Sequence, residues 1–126
     1  MSIWIPNLTP SFSPSEMACK CGKCDGLAPM DHDFMVKLQA MRDQLGPLHI
    51  TSGFRCSEHP DERLKAKPGA HAQGLGADVS LIGAASRHTF LKTAFEVGMQ
   101  GIGIAKGFVH VDGGHKHMPR PALWTY

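Results

Sequence analysis

The stretch Gly101-Ile102-Gly103-Ile104-Ala105-Lys106-Gly107-Phe108-Val109-His110-Val111-Asp112 decides the fold class. Two β-rich runs, 101–104 and 108–112, flank the tight Ala105-Lys106-Gly107 turn, and this predicts a β-hairpin. A hairpin is antiparallel, and the rest of the chain shows no regular strand–helix alternation. The expected class is therefore α+β, a small antiparallel sheet flanked by helices. Upstream of the hairpin, Ser86 is expected to cap a helix over 87–97, with Phe90, Leu91, Ala94 and Phe95 inward and Gly98 past its end. Residues 77–82 and 48–51 read as strands. Between them, 57–70 is a polar loop, long for a small domain. The clearest helix is 31–45, where Phe34, Met35, Leu38, Met41 and Leu45 form one apolar stripe. Asp31 can cap it and Gly46-Pro47 stops it. A shorter helix starts at Ser13-Pro14-Ser15-Glu16, which has the form of a capping box. Residues 1–13 read as an N-terminal arm and 113–126 as an irregular tail.

The whole chain, 1–126, is one domain's worth of sequence, 42% hydrophobic and 19% charged. That composition excludes disorder for most of it. No apolar run approaches the roughly 18 residues of a membrane span. Thirteen basic and eleven acidic residues, interspersed, give a net charge of +2 and no argument for a nucleic-acid or membrane partner. The N-terminus carries no secretory signal, so synthesis in the cytoplasm is expected, and the protein is read as a monomer.

Four cysteines stand at 19, 21, 24 and 56. Cys19, Cys21, Cys24 and Cys56 have the count of a zinc site but only one knuckle; the paired second knuckle is missing. Small apolar packing with exposed thiols is the preferred reading, with metal as the alternative. The chain also holds eight histidines. His71 and Asp78 bracket the glycine-rich 72–77, which can bend and return both side chains to one point. His110 lies between Val109 and Val111, which must face the other way. Two imidazoles and a carboxylate leave one position open on a tetrahedral metal, the form of a catalytic site. Many other His/Asp triples are available in a chain with this many histidines.

Three motifs in order narrow that choice: Thr51-Ser52-Gly53-Phe54-Arg55-Cys56, then His71-x2-Gly74-x3-Asp78, then Phe108-Val109-His110-Val111-Asp112. Together they resemble the zinc D-Ala-D-Ala carboxypeptidases and L-alanyl–D-glutamate endopeptidases, which are grouped with lysostaphin and the hedgehog N-terminal domain. The small phage and prophage branch is most similar, since Glu16 to Cys21 and Arg120 to Trp124 also match segments found there. The sequence departs from the pattern at Gly69, Gly76, Gly107 and Phe108, where relatives carry serine, alanine and the usual acid/base glutamate or histidine.

The resemblance implies one zinc peptidase domain with Zn2+ on His71, Asp78 and His110, cutting amide bonds of peptidoglycan stem peptides by metal-activated water. It implies action on the cell wall after release, or as part of a virion. The alternative is a phage structural or binding module that keeps the zinc fold without turnover. Asp112, two residues after His110 on the same strand face, is either the general base or a group that orients a ligand histidine. Arg55 is expected to bind substrate or oxyanion; the competing role is a surface ion pair with Glu58 or Asp61. His115 and His117 are solvated loop residues or proton carriers. Trp124 and Tyr126 pack the tail or line a cleft.

Overall fold

The computed structural model describes residues 2–126. Five strands form one sheet in the order β1-β2-β4-β3-β5, with β1 Ile50–Ser52, β2 Gly76–Ser80, β3 Gly101–Ile104, β4 Phe108–Asp112 and β5 Ala122–Thr125. Helices α1 (Pro14–Met17), α2 (His32–Leu45) and α3 (Ala84–Glu96) complete the α+β fold. The hairpin lies at the sheet's centre. Strand β4 pairs with β3 on one side and β2 on the other, with His110 opposite Gly103 and Asp78. The register follows from alternation. Ala77, Val79, Ile102, Val109 and Val111 enter the apolar core with the stripes of α2 and α3. Each buried valine contributes about 1.5–3 kcal/mol. A one-residue slip of β4 would exchange Val109 and Val111 for His110 and Asp112 on that face.

Helix α2 starts where Asp31 accepts the Phe34 N–H at 3.0 Å, and α1 carries the capping box of Ser13 and Glu16. The arm is ordered along the same cap. The Ser2 N–H donates to Asp31 Oδ1 at 2.9 Å, and Trp4 Nε1 donates to buried Thr9 at 2.8 Å.

Three expectations need correction. Helix α3 begins at Ala84 after Gly83, so Ser86 lies inside its first turn and caps nothing. Its buried positions are Phe90, Thr93 and Ala94, whereas Phe95, one residue further round the helix, is 59% exposed. The tail is not irregular throughout: β5 joins the sheet edge parallel to β3, making the sheet antiparallel in every pair but that one.

Candidate metal centre

The other face of the sheet carries the polar residues. Alternation puts Asp78 from β2 and His110 and Asp112 from β4 on that face, beside Gly101 and Gly103 of β3 and Trp124 of β5. The glycines make the space. A Cβ on Gly103 would meet the Trp124 indole at 2.5 Å, and one on Gly101 would overlap the Asp112 carboxylate. His71 arrives from the turn that closes the long loop, ahead of β2.

His71, Asp78 and His110 converge. His71 Nε2 is 3.2 Å from Asp78 Oδ1, His110 Nδ1 is 3.0 Å from the same oxygen, and the two ring nitrogens are 3.2 Å apart. All three side chains are buried. The atom of each ligand that faces away is held by the protein. His71 Nδ1 is 2.7 Å from Gly53 O, and a carbonyl only accepts, so this nitrogen carries the proton. His110 Nε2 lies 2.8 Å from Asp112 Oδ2, which places its proton there. Asp78 Oδ2 accepts from Arg55 Nη2 at 3.2 Å. What remains is His71 Nε2, His110 Nδ1 and Asp78 Oδ1, three lone pairs aimed at one point. This is a donor set that fits a divalent metal, with its ligands oriented by partners behind them. A second group with metal-ligand geometry is formed by Cys19, Cys21, Cys24 and Cys56.

The electrostatics of the metal-free triad follow from these contacts. Burial depresses the His71 pKa, against the pull of Asp78, so this imidazole is neutral at pH 7. Burial also opposes charge on His110, but Asp112 and Asp78 outweigh it and raise its pKa. Burial raises Asp78 as well, yet the His110 and His71 imidazoles beside it hold it far below the usual carboxylate range.

Asp112 is fully buried behind His110. Besides that histidine it accepts from Arg120 Nε at 3.0 Å, Arg120 Nη2 at 2.9 Å and the Gly114 N–H at 3.2 Å. Arg120 in turn stacks 5.0 Å over Trp124. Arg55 is neither free nor on the open surface. Its Nε donates to Ser52 at 3.1 Å, and Nη2 also lies 3.7 Å from Asp61.

The triad opens into a cavity of about 710 Å3, bounded by Arg55, Asp61, His115, Arg120, Trp124 and Tyr126 among others. Trp124 and Tyr126 therefore line the cleft as well as pack the tail. Glu62 organises the long loop at its rim, with Oε1 accepting the Gly69 N–H at 3.0 Å and Oε2 accepting from Lys65 at 2.7 Å. Sequence reasoning did not single out Glu62 or Gly53, and named Asp61 only as a surface partner for Arg55. Their one signal was membership of motifs or of an unusually long loop. His115 sits at the cavity mouth, its Nδ1 accepting the backbone N–H groups of His117 and Met118 at 3.0 and 3.1 Å. His117 does not reach the cavity wall.

A family model described as Peptidase M15 matches residues 10–112, a span containing all three triad residues, Arg55, Asp112 and the four cysteines. No curated protein and no solved structure matches the chain. Among the described residues no helix is long and apolar enough to cross a membrane.

Proposed function

The chain belongs to the peptidase M15 family, and from that premise we propose that it is a zinc peptidase of peptidoglycan stem peptides, with His71, Asp78 and His110 as the ligands. The observation that carries this reading is the holding of all three ligands from behind, by Gly53 O, Arg55 and Asp112. A buried cluster serving only as packing has no need of three lone pairs left facing one point. Zn2+ bound there supplies a Lewis acid for the scissile carbonyl and acidifies a water molecule.

The protein's own residues do the rest. Gly53 O fixes the His71 tautomer, and Asp112 fixes that of His110. The complete enclosure of Asp112 favours this orienting role over proton transfer. Proton transfer then falls to a carboxylate on the cavity wall: Asp61 would take the proton of the attacking water and return it to the leaving amine, while the neutral His115 Nε2–H is left to hydrogen-bond substrate. Arg55, already beside Asp78, turns its guanidinium to the cavity, where it suits a substrate carboxylate or a developing oxyanion. Lys65 and Arg120 also line this wall, each paired with a buried carboxylate, Glu62 and Asp112.

The test is digestion of purified peptidoglycan followed by mass spectrometry of the released muropeptides. Metal-dependent cleavage of a stem-peptide amide is expected, abolished by chelation and restored by zinc. Zinc-loaded protein that cleaves no wall peptide would instead support the binding-module reading.

A further inference from the structure

Cys19, Cys21, Cys24 and Cys56 have no part in the chemistry above, yet the fold gathers them. Their Sγ atoms all lie within 4.8 Å of one another, with Cys21 at 3.6 Å from Cys24 and 3.4 Å from Cys56. None is paired with another in a disulfide. In a tetrahedral ZnS4 site with Zn–S of about 2.3 Å, neighbouring sulfurs stand about 3.8 Å apart. The cluster has that size. Two peptide N–H groups point at its sulfurs, Lys23 N–H to Cys21 and Cys56 N–H to Cys19, both at 3.3 Å. Such bonds favour thiolate over thiol.

We propose that Cys19, Cys21, Cys24 and Cys56 form a second, closed metal site that binds one structural Zn2+. Four thiolates complete the tetrahedron, so no position stays open for a substrate, in contrast to the His/Asp centre. The missing second knuckle is supplied across the fold. Phe54 N–H donates to Met17 O at 2.9 Å, and Gly53 packs so closely that a Cβ there would sit 2.6 Å from that same oxygen. This approach lays Cys56 beside the Cys19–Cys24 loop.

The position gives the ion a purpose. Gly53 O holds His71, Arg55 holds Asp78, and Cys56 is the next residue. A zinc bolted to Cys56 anchors the segment that orients two of the three ligands of the other centre. This consequence rests on the peptidase reading; the thiolate site itself does not.

The experiment is elemental analysis of untagged protein together with Co2+ substitution. Two zinc ions per chain are expected in the parent, one in Cys21→Ser/Cys24→Ser and one in His71→Ala/His110→Ala. The Co2+-loaded histidine variant should keep sulfur-to-cobalt charge-transfer bands, which the His/Asp centre cannot produce. The cysteine variant should lose them and bind metal more weakly at the His/Asp centre. If the cysteine variant does not fold, the cobalt spectrum of the histidine variant decides alone. A parent with one zinc, lost with the histidines, and no thiolate band overturns the proposal. So does free reaction of all four thiols with a thiol reagent before chelation, or iron in place of zinc at the cysteines. Wall-peptide hydrolysis by the parent reads the other centre separately: thiolate bands without hydrolysis leave this site standing and remove the peptidase reading.

Discussion

Asp112 separates two mechanisms by a single substitution. If it were the base, Asp112→Asn would keep the metal and lose on the order of 10²-fold or more in kcat. As the acceptor of the His110 Nε2–H and the counter-charge of Arg120, it should instead govern metal affinity, with a loss of about 10–100-fold. Competitive titration with a chromophoric chelator measures that affinity directly, and unchanged affinity with lost kcat would reverse the assignment. His115 gives a second residue-scale outcome. Burial first, then Arg120, lowers its pKa below the ordinary 6.5. Its Nδ1 faces two N–H donors, so the folded loop has no place for a second ring proton. A histidine with a depressed folded pKa leaves stability unchanged above the unfolded value. As pH falls below that value the unfolded chain takes up the proton first, and stability declines until the folded pKa is passed. Two-dimensional NMR of the ring should show the Nε2–H tautomer and a midpoint below 6.5; a midpoint above it would contradict the contacts.

Among the elements, β3 is the one whose sequence is set by its neighbours. Buried Ile102 and half-buried Ile104 alternate with Gly101 and Gly103 because the site face has no room there. Gly103→Ala should displace Trp124 and loosen β5, lowering thermal stability by an amount typical of overpacking, about 1–3 kcal/mol. An unchanged Tm together with unchanged tryptophan fluorescence would show that β5 has slack. The hairpin and α2 were legible in the sequence because their apolar periodicity and end signals agree: Asp31 at one end of α2, Gly46 at the other. The start of α3 was misplaced because Gly83 has no side chain to mark a cap, while Ser86 carried a false signal. Phe95 was placed inward on hydrophobicity alone, although the buried set of Phe90, Thr93 and Ala94 excludes its azimuth. Strand β5 was invisible for another reason. Four residues after two prolines carry no period, and their partner, β3, lies some twenty residues back in a parallel pairing that no turn announces.

At the scale of the whole molecule, both metal-ligand groups are assembled from segments distant in sequence. The triad was legible because its residues stand in recognisable motifs on predicted strands and turns. The cysteine group was legible only as an alternative, since joining Cys56 to the Cys19–Cys24 loop depends on the close backbone approach of Gly53 to Met17, which no periodicity encodes. This assembly makes folding and metal binding one equilibrium. His71, Asp78 and His110 are brought together only when the loop before β2, β2 itself and β4 are all in place, and an unfolded chain offers them singly. Metal that binds only the folded state stabilises it by RT ln(1 + [M]/Kd), about 4 kcal/mol at a thousandfold excess over Kd. For a chain of this length that amounts to a Tm shift on the order of ten degrees. The metal-free triad partly offsets the loss, because Asp78 and Asp112 hold a proton on His110 between them, so chelation leaves a paired cluster and not a bare charge. Metal binding must expel that proton, so the stabilisation should shrink as the pH is lowered through the raised His110 pKa. Calorimetric scans with and without chelator, at pH 8 and again near pH 6, measure both effects once the drop seen in His71→Ala/His110→Ala, which reads the cysteine site, is subtracted from that of the parent. A difference of the same size at the two pH values would show that no proton competes with the metal on His110 Nδ1, and the raised His110 pKa would have to be withdrawn.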